Sequence, residues 1–144
     1  MLTDKRQQVI TEAKTFLGTP FVMNANLKGI GIDCGRLLIK VYENCGFKVP
    51  LLVPMFTSDW HLHTREERYL ELVAPFTEQV FEPFPGDIVL FRVARPYAHG
   101  GIIVEWPIII DAKMSHNVEY TNVDIDAELK TRARVFFSPY RVND

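Results

Sequence analysis

Gly29-Ile30-Gly31-Ile32-Asp33-Cys34-Gly35-Arg36-Leu37-Leu38-Ile39-Lys40-Val41-Tyr42-Glu43-Asn44-Cys45-Gly46 is the stretch on which the reading of this chain turns. Two glycines mark a loop that runs into Asp33, a residue whose carboxylate suits a helix N-cap. Apolar residues then recur at 37, 38, 41, 42 and 45, the spacing of one helical face, and Gly46 supplies a C-terminal stop. Cys34 therefore falls in the first turn, where unpaired N–H groups and the positive end of the helix dipole favour a thiolate. Cysteines in such places can ionise well below the free value of about 8.5. From this stretch alone Cys34 is either a nucleophile or a small residue packed in the core.

Working outward, Thr3 or Asp4 can cap a first helix with an apolar stripe of Val9, Ile10, Ala13, Phe16 and Leu17, ended by Gly18 and Pro20. Phe21 to Gly31 reads as a loop that delivers the chain to Cys34. Beyond Gly46, prolines extend the chain to Pro54, and Thr64-Arg65-Glu66-Glu67 is a capping box for a helix from about 65 to 73. His61 and His63 alternate as two ligands on a strand would, but no cysteine or carboxylate stands at a zinc spacing. No metal or other cofactor is expected, and the pair is read as structural or cleft-lining.

The character of the chain changes at the turn Phe84-Pro85-Gly86-Asp87. Strands are expected at 88–93, from 99 to 105, at 108–112, and at about 117–123 and 133–138, with a short helical piece near 127–130. Helices first and antiparallel strands afterwards predict an α+β domain spanning residues 1–144, with the Cys34 helix packed on a C-terminal sheet. A chain of 144 residues, 47% of them hydrophobic, is enough for one such core. A net charge of −2 with no basic run argues against a nucleic-acid partner. No apolar run approaches the roughly 20 residues of a membrane span. The polar residues after Met1 do not form a secretory signal, so synthesis in the cytoplasm is expected. Cys34 and Cys45 stand about 16 Å apart along the proposed helix, which rules out a disulfide between them. Cys45, on the apolar face, is expected to be buried and inert.

His99 opens one apolar strand and Asp111 closes the next. A turn of odd length centred on residue 105 would set the two directly opposite each other on one face of a hairpin. An even turn would throw them to opposite faces. If paired, they could be no more than a polar couple at strand ends. With Cys34 they make a thiol, a base and an orienting carboxylate, the composition of a nucleophilic triad. First-turn N–H groups beside Cys34 are candidates for an oxyanion hole, and Gly100 and Gly101 leave space beside His99. Arg36 is either a solvated helix residue or a partner for a substrate carboxylate. His116 lies past the expected strand end and is the less suitable third member.

Phe16-Leu17-Gly18-Thr19-Pro20-Phe21, Gly31-Ile32-Asp33-Cys34, Pro85-Gly86-Asp87-Ile88-Val89-Leu90-Phe91 and His99-Gly100-Gly101-Ile102, in this order, resemble the NlpC-type cell-wall cysteine peptidases. The resemblance runs from about residue 8 to 138. It implies a papain-like fold, with Cys34, His99 and Asp111 as the catalytic set; Asp111-Ala112 stands where the family often has His-Ala. It also implies cleavage of peptidoglycan stem peptides between the D-glutamyl γ-carboxyl and the diamino acid. Leu27 to Gly31 and Phe56 to Trp60 look more like the phage and prophage tail branch, which implies tail proteins as partners and a place on the virion. The cleft is expected to involve Phe21, Asp33, Arg36, Trp60 and Gly100. The chain departs from the family at Phe21, where tyrosine is usual, at Met23-Asn24-Ala25, where Trp-Gly-Gly is usual, and at Gly35-Arg36, where a pair of small residues is common. A tail protein that keeps the fold with little turnover, and an amidase or acyl transferase, are the competing readings.

Overall fold

A computed structural model describes residues 2–50 and 67–142. Trp60, His61, His63 and the start of the Thr64–Glu67 capping box lie outside the described residues. The first helix, α1 (Asp4–Lys14), begins where the Thr3 hydroxyl accepts the Arg6 N–H, and it buries Val9, Ile10 and Ala13. The segment read as a loop contains a small hairpin, β1 (Asn26–Leu27) paired with β2 (Gly31–Ile32). Two residues per strand give too short a pattern for alternation to register in the sequence. Helix α2 (Cys34–Asn44) follows, capped by Asp33 and closed before Gly46, whose φ of +90° needs a glycine. The helix predicted for 65–73 is described as α3 (Arg68–Val73), which runs into a 3₁₀ turn at Ala74–Phe76.

A six-stranded antiparallel sheet completes the α+β arrangement. Its strands are β3 (Glu78–Val80), β4 (Ile88–Arg92), β5 (Tyr97–Glu105), β6 (Ile108–Asp111), β7 (Glu119–Asn122) and β8 (Arg134–Ser138), in the spatial order β3-β8-β4-β5-β6-β7. The sequence reading did not foresee β3, a three-residue edge strand without a buried residue. Residues 127–130 form turns where a helical piece was expected. Side chains alternate across the sheet as a period of two requires. Ile88, Leu90, Ile102 and Ile110 face α2 and its Leu37, Leu38, Val41 and Tyr42. Val89, Phe91, Ile103 and Ile109 face Val123 and Leu129 on the other side.

Helix α2 approaches the sheet closely at Gly100, which was expected to clear space for substrate. A Cβ there would lie 2.8 Å from Leu90 Cδ2, 3.0 Å from Leu38 Cδ1 and 3.2 Å from the Val89 carbonyl oxygen. Its missing side chain thus serves helix-on-sheet packing. The other anchor is the turn before β4. Tyr42 and Tyr140 both donate to the Gly86 carbonyl oxygen, at 2.7 and 2.6 Å, and Arg6 bridges the Pro85 carbonyl to Asp87, each at 2.9 Å. Because neither Leu90 nor the Val89 backbone can yield cheaply, Gly100→Ala is expected to destabilise the fold by about 1–3 kcal/mol in denaturant titration. A variant as stable as the parent would mean that α2 does not sit on β5 this tightly.

Candidate active site

Asp33 sets the position of Cys34. Its Oδ1 accepts the Arg36 N–H at 2.9 Å, capping α2. Its Oδ2 accepts the Asn24 N–H at 2.7 Å and the Arg36 guanidinium at 2.8 Å. One buried carboxylate thereby starts the helix and ties the 21–25 loop to it. Arg36 is neither solvated nor turned to a ligand: it is 6% exposed and bonded to Asp33 and Asn24. The i,i+3 spacing from the cap residue makes this pairing short, and burial favours it over a place in water. Cys34, 6% exposed, sits in the first turn of α2.

His99 comes from β5 and Asp111 from the end of β6. The hairpin register differs from the expected one: Asp111 is paired with Gly101, and His99 lies diagonally from it. The hairpin closes over the even pair Trp106-Pro107 between Glu105 and Ile108, and a β-bulge between Ile103 and Glu105 then shifts the ladder by one residue, which turn-centre arithmetic cannot anticipate. Because residues 99 and 101 share a face, the pair still meets. His99 Nε2 lies 2.8 Å from Asp111 Oδ2, and the same imidazole lines the cleft beside Cys34. Gly101 makes the diagonal contact feasible, since a Cβ there would stand 3.3 Å from the Asp111 Cβ. The His99 ring also lies tilted against that of its cross-strand partner Phe91, centroids 6.1 Å apart.

Asp111 has no solvent exposure. Its charge is matched by three groups: His99, the Thr121 hydroxyl donating at 2.7 Å, and the Lys113 ammonium at 3.1 and 2.9 Å from its two oxygens. Burial opposes ionisation, but the bond and charge of His99, then the Lys113 charge and the Thr121 bond, outweigh it and hold the carboxyl below its usual range. At His99 burial again opposes the charged form. The bonds and charges of Asp111 and Cys34 prevail, and the imidazole is pushed up to about 10.

Tyr69, from α3, is a member of the site that sequence reasoning missed. Its hydroxyl lies 2.8 Å from Cys34 Sγ, and its ring lies against Gly35, where a Cβ would stand 3.4 Å from the hydroxyl oxygen. In sequence, Tyr69 reads only as an apolar helix residue beside Leu72 and Val73. Thr121 and Lys113 gave no signal either, because their role depends on β7 lying beside β6. Phe21, Met23 and Asp33 join Cys34, Tyr69 and His99 in lining the cleft. Gly100 lies outside it, in the contact described above. Cys45 is half-buried, not buried as expected, because it follows the last turn of α2. Its thiol is pushed up by burial and by the charge of Glu12, against the opposing charge of Lys5.

No family model matches the sequence, and no curated protein matches it. Solved structures do match in fold. The NlpC/p60 domain of the peptidoglycan hydrolase SagA superposes with a TM-score of 0.64 at 17% identity, over 90% of this chain and 96% of that one. A lipoprotein-like NLP/P60 protein from Staphylococcus aureus gives 0.67 at 17% identity, over 94% of this chain but 42% of the longer staphylococcal chain. RipD of Mycobacterium tuberculosis, a non-catalytic NlpC/p60 domain protein adapted to peptidoglycan binding, gives 0.63 at 12% identity over 95% of this chain and 98% of that one. The chain has the papain-like NlpC/P60 fold.

Two measurements check the site. The imidazolium of His99 stabilises the fold fully below its unfolded value of about 6.5, and that contribution is lost as pH climbs through about 10. In Asp111→Asn the midpoint of the His99 ring resonances in an NMR titration is expected to fall by at least one unit, because the largest favourable partner has lost its charge. An unmoved midpoint would mean that Asp111 does not govern the imidazole. Iodoacetamide at neutral pH is expected to alkylate Cys34 before Cys45, although Cys45 is the more exposed, since the thiolate reacts. Faster labelling of Cys45 would contradict the assignment of Cys34 as nucleophile.

Proposed function

We propose that this chain is a cysteine endopeptidase acting on peptidoglycan stem peptides. The observation that carries the reading is one imidazole placed between a thiol at a helix N-terminus and a fully buried carboxylate. That is the order of groups a thiol nucleophile needs: a base to take its proton and a third group to fix the base's tautomer. The likeness to SagA, a peptidoglycan hydrolase, supports the substrate class.

In this reading the Cys34 thiolate attacks the scissile carbonyl carbon. An S–C bond forms and the carbonyl π pair moves to oxygen, where the Cys34 N–H of the first helical turn is the donor assigned to the developing charge. His99 gives its proton to the departing amine nitrogen as the C–N bond breaks. Neutral His99 then takes a proton from water, whose oxygen attacks the thioester, and the C–S bond breaks to release a carboxylate. Asp111 keeps the imidazole oriented and favours its charged form through both halves. The bond between the D-glutamyl γ-carboxyl and the diamino acid is the proposed site of cleavage, supported by the sequence resemblance. The same resemblance, through residues 27–31 and 56–60, supports action from a phage tail.

A second reading is favoured by RipD, whose fold is retained for peptidoglycan binding without catalysis. Purified murein incubated with the protein separates the two. Release of stem-peptide fragments by mass spectrometry, abolished in Cys34→Ala, is the expected result. Fragments bearing a free D-glutamyl γ-carboxylate would identify the bond, and release of whole stem peptides from the glycan would identify an amidase. Binding with no fragments at all would establish the non-catalytic reading.

A further inference from the structure

Cys34 Sγ has a second polar neighbour besides His99. The Tyr69 hydroxyl is 2.8 Å from the sulfur and belongs to a residue only 3% exposed. Three features hold it there. Tyr69, Leu72 and Val73 are the buried face of α3, which packs against both α2 and β5. The Glu67 carboxylate, just before α3, accepts the Tyr97 N–H at 2.9 Å and pins the start of that helix to the strand carrying His99. Gly35, without a side chain, allows the phenol to lie against the first turn of α2, where a Cβ would meet its Cζ and hydroxyl oxygen at 3.4 Å.

The direction of the proton follows from the partners. A thiolate carries no proton, so where Cys34 is ionised the phenol O–H is the donor and the sulfur the acceptor. Burial and then the adjacent Cys34 charge push the phenol well above its ordinary value, so it stays protonated wherever the thiolate exists.

We propose that Tyr69 is a further catalytic residue of this centre, a donor that holds the Cys34 thiolate alongside the imidazole. It touches the reacting sulfur, and its charge-assisted bond favours the thiolate over the thiol. Its effect on turnover rests on the peptidase reading above, whereas its effect on the thiolate does not.

The test measures the rate of Cys34 alkylation by iodoacetamide against pH, resolved from Cys45 by peptide mass spectrometry. Tyr69→Phe removes one oxygen and keeps the ring. The acidic limb of the profile is expected to move up by about one pH unit, the size of one hydrogen bond to a charged group. With 3-fluorotyrosine in place of Tyr69 the ring and packing stay nearly unchanged while the phenol becomes a better donor, and the limb is expected to move down. This second variant also decides the matter if Tyr69→Phe does not fold. Should murein be cleaved, the acidic limb of kcat/KM is expected to move with the alkylation limb in both variants. An alkylation limb that stays in place in the fluorotyrosine protein overturns the role, whether or not murein is cleaved. Failure to cleave murein with the limbs shifted overturns the peptidase reading and leaves the Tyr69 donor standing.

Discussion

A carboxylate with no access to water must be matched where it stands, and in this molecule that constraint falls on Asp111. Three strands contribute to its solution. His99 arrives from β5, Thr121 from β7, and Lys113 from the chain leaving β6, all within hydrogen-bond distance of its two oxygens. An unpaired buried charge would cost several kcal/mol. The set therefore constrains how β5, β6 and β7 align as well as how the imidazole is oriented. Structural and chemical demands coincide at this residue.

Two adjacent glycines let the arrangement close from both faces of the sheet. Gly100 faces α2 and admits Leu38, bringing the nucleophile's helix down onto β5. Gly101 faces the other way and leaves room for Asp111 beside it. Any side chain at 100 would push the helix off the strand, and one at 101 would crowd the carboxylate. The distance between sulfur and imidazole is thus set by packing that contains no catalytic group. Asp33 performs the corresponding task at the helix start, because its two oxygens fix both the first turn of α2 and the loop that borders the cleft.

In the proposed centre the Cys34 sulfur has two proton-bearing neighbours, an imidazole and a phenol. The imidazole is a transferable acid, and its proton leaves with the amine in the proposed reaction. Tyr69 is held too far above its ordinary value to ionise, so it stabilises charge without exchanging it. The fold shared with SagA is shared also with RipD, which has no catalytic activity, so fold alone does not decide between cleavage and binding. The groups around Sγ are what bear on that choice.

The α+β order and the helix that begins at Cys34 were legible from the sequence, and so were the three residues of the proposed triad as candidates, because the signals are local: a capping aspartate, a helical stripe, and polar residues at the ends of apolar strands. Whether His99 and Asp111 share a face was left open by the sequence, since it hung on whether the turn was odd or even. The turn is the even pair Trp106-Pro107, and a bulge at Ile103–Glu105, which depends on how the whole hairpin fits the sheet, returns both residues to one face in a diagonal pairing. Arg36 was ambiguous in sequence and unambiguous in space, once Asp33 and the 21–25 loop closed around it. Thr121, Lys113 and Tyr69 had no sequence signal of chemistry. Each acquires its role by lying next to a residue at least eight positions away or by sharing that residue's buried charge: Thr121 lies ten residues from Asp111, Tyr69 lies 35 from Cys34, and Lys113 serves both Asp111 and Thr121. Local pattern sets which element a residue joins; only packing sets which charge it faces.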